Sequence, residues 1–435
     1  MLLRRSLMPR LPGAARACLM SSGGTRAFEV GQGGSLVIDM ARAAAVVKVT
    51  TKWIDSCNVT ISRLPAGADV SNFDGLGENA QSTEDAADLN LVADEALAQV
   101  TLSHYQDRVG EGREGVYLVE AVVPELFSVD VLLSHGNVSV AKKLKGDCQV
   151  QLDRGDISVG TVRGETIRLS TGCGRVEADE LEGNVDVTAT ADVYARLING
   201  AKVRIDATGD GEPSVTVGAL YSSGARITSA GNVGVSSCHG RIAVDTTGTL
   251  GGVNLSSVNG TAQVCTGQGG ATVHMDVLEE GTACNIRSDG GDVNVSMSQQ
   301  VDADLDIEAN SVELPPSFEG DVLSGKAVGR IKSAAVEPSR AARYGSISSS
   351  SKDAGGGKID LVGARGQSLR QYFPNDAATN SLHPKLSVAA KGGSVVVEIL
   401  SWADNIARKF IAREASCLEY GKRRFLGFGA VEEAS

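Results

Sequence analysis

Any chemistry in this chain would have to come from its carboxylates, histidines and cysteines. Asp153, Asp156, Asp179, Asp186, Asp192, Asp206, Asp245, Asp292 and Asp306 recur through the middle of the sequence. Two or three of them converging on one cleft would suit glycoside hydrolysis, which needs a carboxylic acid and a carboxylate flanking the scissile bond. Many stand beside a turn glycine, where aspartate favours the bend of the chain. Turning is the role the sequence assigns them. A ladder of outward carboxylates could hold Ca2+, but the nonapeptide repeat that builds such ladders is absent. His135 and His239 each precede a turn glycine, in Ser-His-Gly and Cys-His-Gly. Their recurrence reads as turn chemistry rather than as a paired acid and base. Aromatic rings that would stack on sugars are scarce, with Tyr194 and Tyr221 the main ones.

The cysteines are Cys18, Cys57, Cys148, Cys173, Cys238, Cys265, Cys284 and Cys417. None forms a CxxC pair or a finger-like spacing with histidine. They read as small apolar core residues. A metal site assembled across repeats from Cys238, His239, Cys265 or His274 is conceivable, but no spacing supports it. There is no GxSxG, GxxxxGK[ST] or HExxH. Gly267-Gln268-Gly269-Gly270 does not lead into a helix, so it offers no helix N-terminus to a phosphate. The sequence therefore assigns no catalytic, cofactor-binding or metal-ligating residue, and no cofactor.

The elements that would carry such residues are more legible. Residues 35–65 contain β-branched runs, SLVID, AVVKVT and NVTISRLP, that predict strands. An acidic, Gly-containing loop follows over 66–88, then two more strands, LAQVTLSHY and GVYLVEAVVP. From Phe127 the pattern is periodic, and a solenoid is expected from about Val129 to about Leu314. Glycines at 146, 164, 183, 200, 224, 240, 260 and 281 mark the repeat. Each repeat holds two alternating runs joined by a polar turn, so one side of each run is buried. A repeat this short cannot bury its own apolar face, so the repeats must stack and share a core. Val150, Leu152, Ile157, Val159, Ile167, Leu169, Val185, Val187, Val203, Ile205, Val215, Val217, Val233, Val235, Ile242, Val244, Val253, Leu255, Val293 and Val295 are the predicted inward positions. Asn-Gly at 199–200 and 259–260 are turn signals. An immunoglobulin-like sandwich would show longer strands and a core Trp, whereas Trp53 and Trp402 both lie outside the repeats.

The expected class is all-β: a single-stranded β-helix of short two-strand repeats, with N-terminal strands and a C-terminal capping helix. Five parts are expected. Residues 1–28 form an organelle-targeting peptide and 29–124 an N-terminal β segment with a mobile acidic loop. Residues 125–332 form the solenoid, 333–391 a flexible Ser/Gly-rich insert, and 392–435 the last strand, the capping helix and a basic tail. In the helix Trp402, Ile406 and Phe410 lie four apart on one face, and Ser401 with Asp404 forms a cap.

The N-terminus carries Arg4, Arg5, Arg10, Arg16 and Arg26 and no acid before Glu29. Arg and Pro interrupt every apolar run, which fits a transit peptide rather than a secretory signal. A mitochondrial address is expected, with a plastid as the alternative. No stretch reaches the ~18 apolar residues of a membrane span. The net charge of −12 leaves a strongly acidic body once those arginines are set aside. Such a body repels nucleic acid and anionic lipid. Beyond the N-terminus the basic cluster is Lys422-Arg423-Arg424, read as a solvated tail.

Several of these residues resemble a known family. Val122-Val123-Pro124 ends a strand, and V-x-V-x-x-S-H-G-N-V-S-V follows over 129–140. Repeated turn units come next: Arg154-Gly155-Asp156-Ile157, Ala230-Gly231-Asn232-Val233 and Gly290-Gly291-Asp292-Val293. Together they look like the adhesin-like domain of unknown function that is widespread in bacteria. Gly-Ser-Val-Val-Val before Ser401-Trp402 is more specifically similar to its eukaryotic branch, family with sequence similarity 185 member A. The resemblance covers roughly 120–415, and the long insert before the last strand departs from it. It implies a β-helix-like fold and no established catalytic residues. The expected function is a non-catalytic organellar scaffold that binds a protein partner, not nucleic acid. The alternatives are a carbohydrate-active β-helix enzyme and a membrane-peripheral scaffold held by the C-terminal helix.

Overall fold

The computed structural model describes residues 25–30, 33–64, 81–82, 89–94, 96–104, 116–278, 281–332, 383–401 and 403–408. The N-terminal part supplies β1 (Thr25–Glu29), β2 (Ser35–Lys52), β3 (Ser56–Leu64), β4 (Gln81–Ser82), β5 (Leu89–Asp94), β6 (Gln99–His104) and β7 (Val116–Pro124). The repeats follow as β8 (Ser128–His135), β9 (Val138–Leu144), β10 (Cys148–Arg154), β11 (Ile157–Thr171), β12 (Val176–Ala189), β13 (Val193–Asn199) and β14 (Lys202–Ala207). They continue as β15 (Val215–Ser229), β16 (Val233–Thr246), β17 (Val253–Thr266), β18 (Ala271–Val277), β19 (Ala283–Ser288) and β20 (Val293–Ser298). Then come β21 (Ala303–Glu313), β22 (Phe318–Leu323), β23 (Lys326–Ile331), β24 (Lys385–Leu400) and one helical segment, α1 (403–408).

The 24 strands of the described residues join in one hydrogen-bonded network. Each coil of the chain gives one strand to each of two columns. In the first column Cys148, Ile167, Val185, Val203, Ala225, Ile242 and Ala262 stand one above another in parallel register. In the second, Val138, Ile157, Val176, Val193, Val215, Val233, Val253, Ala271 and Val293 do the same. The pairing is parallel because every coil runs the same way round. Long strands such as β11, β15 and β17 bend at a corner and serve both columns. The named inward positions are all buried, none more than 4% exposed. Each fully buried Val, Leu or Ile contributes about 1.5–3 kcal/mol.

Glycines make the corners. Gly146, Gly164, Gly183 and Gly200 stack so closely that a Cβ on Gly183 would lie 1.9 Å from the Gly164 carbonyl oxygen. Gly183 also has φ +144, where only glycine is comfortable. Asn259-Gly260 sits at such a corner inside β17, in register with His239-Gly240. It turns the chain between columns rather than closing a hairpin.

The stack is longer than the 129–314 range marked by the repeats. β2 pairs in parallel with β8 and β9 on one side and with β6 and β7 on the other. It is therefore a coil of the solenoid. At the far end β24 lies between β19 and β20 on one side and β21 on the other. The first and last long strands of the chain are thus each tucked one coil in from the end. Antiparallel strands cover both ends: β3 on β7 and β5 on β6, then β23 on β21 and β22 on β23. The 66–88 loop and the 333–391 insert lie mostly outside the described residues. Within them, Gln81–Ser82 forms β4 and the stretch from Lys385 belongs to β24.

Candidate functional site

The Asp and Asn that recur before second-column strands prove to be rivets between coils. Asn137 Oδ1 accepts the Asp156 N–H at 2.9 Å, and Asp156 Oδ1 accepts the Arg175 N–H at 3.0 Å. Asp192 Oδ1 accepts Ser214 N–H at 2.8 Å, Asn232 Oδ1 accepts Gly252 N–H at 2.8 Å, and Asp292 Oδ1 accepts Ser394 N–H at 2.7 Å. The side chain takes an N–H that the corner leaves without a ladder partner. At Asp292 the Ser394 N–H and hydroxyl hold the carboxyl below the usual carboxylate range. Elsewhere the carboxylates pair with their own neighbours: Asp206 with Arg204, Asp179 with Arg196 at 3.9 Å, and Asp306 with Lys385 at 3.9 Å. Asp186 stands in register between Arg168 and Arg204. Asp153 is exposed, and Asp245 lies beside Cys265 in the ladder.

The cysteines and histidines are not gathered. Cys238 points into the core, and burial pushes its thiol up to about 12. Cys265 is exposed on the first column. His239 stacks on Tyr221 on the outside of a corner, with ring centroids 4.7 Å apart, and Asn259 Nδ2 lies 3.3 Å from its Nδ1. His135 is exposed at the equivalent place. Tyr194 is outward on the second column yet buried. Among the described residues no three His, Cys, Asp or Glu side chains converge as a metal cage.

The two columns present different outer faces. On the first, Arg168, Asp186, Arg204 and Arg226 stand in register, and Asp206, Asp245 and Arg287 lie near them. On the second, one outer row is small and uncharged from β15 to β20, before Val396 and Glu398 of β24 follow it. In register they run Thr216, Gly234, Asn254, Thr272, Asn294, with Gly218, Ser236 and Ser256 beside them.

This neutral face ends under α1. His274, Asp276 and Ser296 should be outward, yet they are 1%, 7% and 4% exposed because the helix lies over them. Asn405 Oδ1 is 3.1 Å from His274 Nε2, and Asn405 Nδ2 donates to Asp276 Oδ1 at 3.0 Å. Ser296 Oγ is 2.9 Å from His274 Nδ1 and accepts from Arg408. Ser257, also buried, donates to the other Asp276 oxygen. With the imidazole neutral and its proton on Nε2, every donor meets an acceptor in one direction, from Arg408 through Ser296, His274 and Asn405 to Asp276. Beside the helix a cleft of about 370 Å³ is lined by Thr272, Asn294, Val295, Ser296, Val396, Glu398 and Arg408.

Ser296, His274 and Asp276 are connected in the order of a hydrolytic triad, Asp276 Oδ1 lying 3.3 Å from His274 Nε2. The β20 backbone offers no oxyanion hole. β20 is paired with β18 on one side and β24 on the other, so its N–H groups are used in the ladders and cannot meet a developing charge. What the geometry does is dock the helix. Of these residues the sequence singles out His274 alone, in a conceivable metal site that no spacing supports. The available signal was His274 and Asp276 on outward strand positions, with Asn405 and Arg408 three apart on the helix. The expected cap is present, with the Asp404 N–H donating to Ser401 Oγ at 3.2 Å. The helix covers a side face, however, while the end of the stack is covered by β21, β23 and β22. Ile406 is 36% exposed. Trp402, Phe410 and Lys422–Arg424 lie outside the described residues, and none of the described helices is long and apolar enough to cross a membrane.

No family model matches the chain, and no curated protein matches it. Among solved structures it is similar to a candidate cell adhesion protein from Clostridium sporogenes, at 7% identity and TM-score 0.16, over 87% of this chain and 100% of that one. A candidate adhesin from Bacteroides fragilis shares 9% identity at TM-score 0.23, over 86% of this chain and 96% of that one. A candidate lipid-binding protein from Parabacteroides distasonis shares 14% identity at TM-score 0.24, over 63% and 89% of the two chains. Likeness of this degree carries no argument about activity.

Proposed function

We propose that this protein is a non-catalytic β-solenoid scaffold of the adhesin-like type, related to its eukaryotic branch, that binds a protein partner along the outer face of its second column. One observation carries the reading: a flat, uncharged surface of Thr216, Gly234, Asn254, Thr272 and Asn294 on a molecule of net charge −12. Rows of small polar side chains let another surface approach closely without stranding a charge. A mitochondrial site of action rests on the Arg-rich, acid-free first residues.

The test is proximity labelling from within mitochondria with the full chain. Gly234→Arg with Asn254→Arg puts two cations in register on the neutral face. Gly234 is a safe host, since a Cβ there meets nothing within 4 Å. The control is Arg226→Asn on the first column. A reproducible set of proteins lost in the double variant and kept in the control supports the reading. No reproducible set, or one indifferent to the double variant, overturns it.

A further inference from the structure

We propose that α1 is an autoinhibitory strap, which masks the C-terminal end of the partner-binding face and must lift for full engagement. The inference rests on the binding role given to that face above. Two observations lead to it. First, the strap covers the same face: His274 and Ser296 share rows with each other and lie beside Thr272 and Asn294, which remain open. Second, the contacts it makes among the described residues are polar. Asn405 and Arg408 make the contacts, whereas Ile406 is left at 36% exposure. Hydrogen bonds of this kind exchange for water or for a partner at small net cost, unlike apolar burial.

The uncovered patch would present Ser257, His274, Asp276 and Ser296 as a polar extension of the neutral rows. Asp276 is fully hydrogen-bonded beneath the strap, and water can replace Asn405 when the strap lifts. Neither state strands a buried charge, which is what a reversible device requires.

Diethylpyrocarbonate, which acylates accessible neutral imidazoles, reports docking in the full chain by mass spectrometry. His274 should react at least about tenfold more slowly than exposed His135, corresponding to about 1.4 kcal/mol of docking free energy. Asn405→Ala with Arg408→Ala should abolish that protection while circular dichroism of the sheet stays unchanged. The same variant should raise recovery of the proteins labelled by the wild type several-fold. Equal reactivity of His274 and His135 in the wild type overturns the strap. Loss of protection with no gain in labelling overturns autoinhibition and leaves the binding face standing. Absence of any face-dependent partner removes the binding reading itself, and the His274 readout still reports separately whether the strap docks.

Discussion

The two outer faces are built by the same coils on the same core, yet they differ in almost every respect that a partner could sense. The first column carries Arg168, Asp186, Arg204, Arg226 and Asp206, charges of both signs in register, with Arg204 paired to Asp206 in its own strand. The second, from β15 to β20, carries a row of hydroxyls, amides and glycines that runs up to a helix supplying polar partners to its neighbours. Inward positions are constrained by packing, so both columns look alike from inside. Outward positions are not needed for stability, and their divergence is therefore informative about contact. A charged face resists edge and face association, while a neutral one permits close approach.

Breaking the shared scaffold should abolish both faces together. Gly183→Val forces a branched side chain to φ +144 and into the Gly164 carbonyl. We expect a loss of more than about 3 kcal/mol, or failure to fold, read by urea denaturation. Separating inside from outside takes two neighbours in β14. Ile205→Ala should cost about 2–5 kcal/mol through lost burial and a cavity. Arg204→Ala, beside it but outward, should change stability by no more than about 0.5 kcal/mol. Comparable losses at both positions would mean that the first face is structural and that the contrast between inside and outside is overstated.

The inward half of this design is legible in the sequence because it obeys a local rule. Val203 and Ile205 are two apart, as are Val215 and Val217, and alternation alone marks them. The faces are not legible, because each row gathers one residue per coil and coil length varies. Thr216, Gly234, Asn254, Thr272 and Asn294 become neighbours only once register is known, and bulges shift that register between coils. The tucked positions of β2 and β24 are hidden for a similar reason. Parallel pairing joins segments far apart in the chain, and the insert before β24 separates it from β20 and β21. The docking of α1 is half legible: the Ser401–Asp404 cap follows from local spacing, whereas Asn405 and Arg408 gain partners only once β18 and β20 are in register.

Thiol chemistry sharpens the boundary between inside and outside without altering the fold. Burial pushes Cys57, Cys148 and Cys238 up to about 12 and Cys284 up to about 11. Cys173 is exposed. At pH 8 a maleimide should label Cys173 at the rate of a free thiol and leave those four untouched until denaturant is added. Rapid labelling of Cys148 in the native protein would contradict the closed core.

The smallest effect concerns the rivets that align the second column. Asn232 and Asp292 do the same job, each accepting the N–H of the next coil at 2.8 and 2.7 Å, but only one of them titrates. Asp292 is held below its ordinary value by the Ser394 N–H and then by the Ser394 hydroxyl. Because its folded pKa is depressed, its stabilisation is complete above the unfolded value of about 3.9 and is lost as pH falls through the folded value. Asp292→Asn should therefore leave stability near neutrality almost unchanged, since an amide oxygen accepts the same N–H. Below about pH 4 the variant should lose less stability than the wild type at this corner. The check is the difference between the two urea midpoints followed from pH 6 to pH 2.5. Parallel curves across that range would mean that Asp292 contributes its shape to the corner and not its charge, which would make the aspartate and asparagine rivets equivalent at every pH.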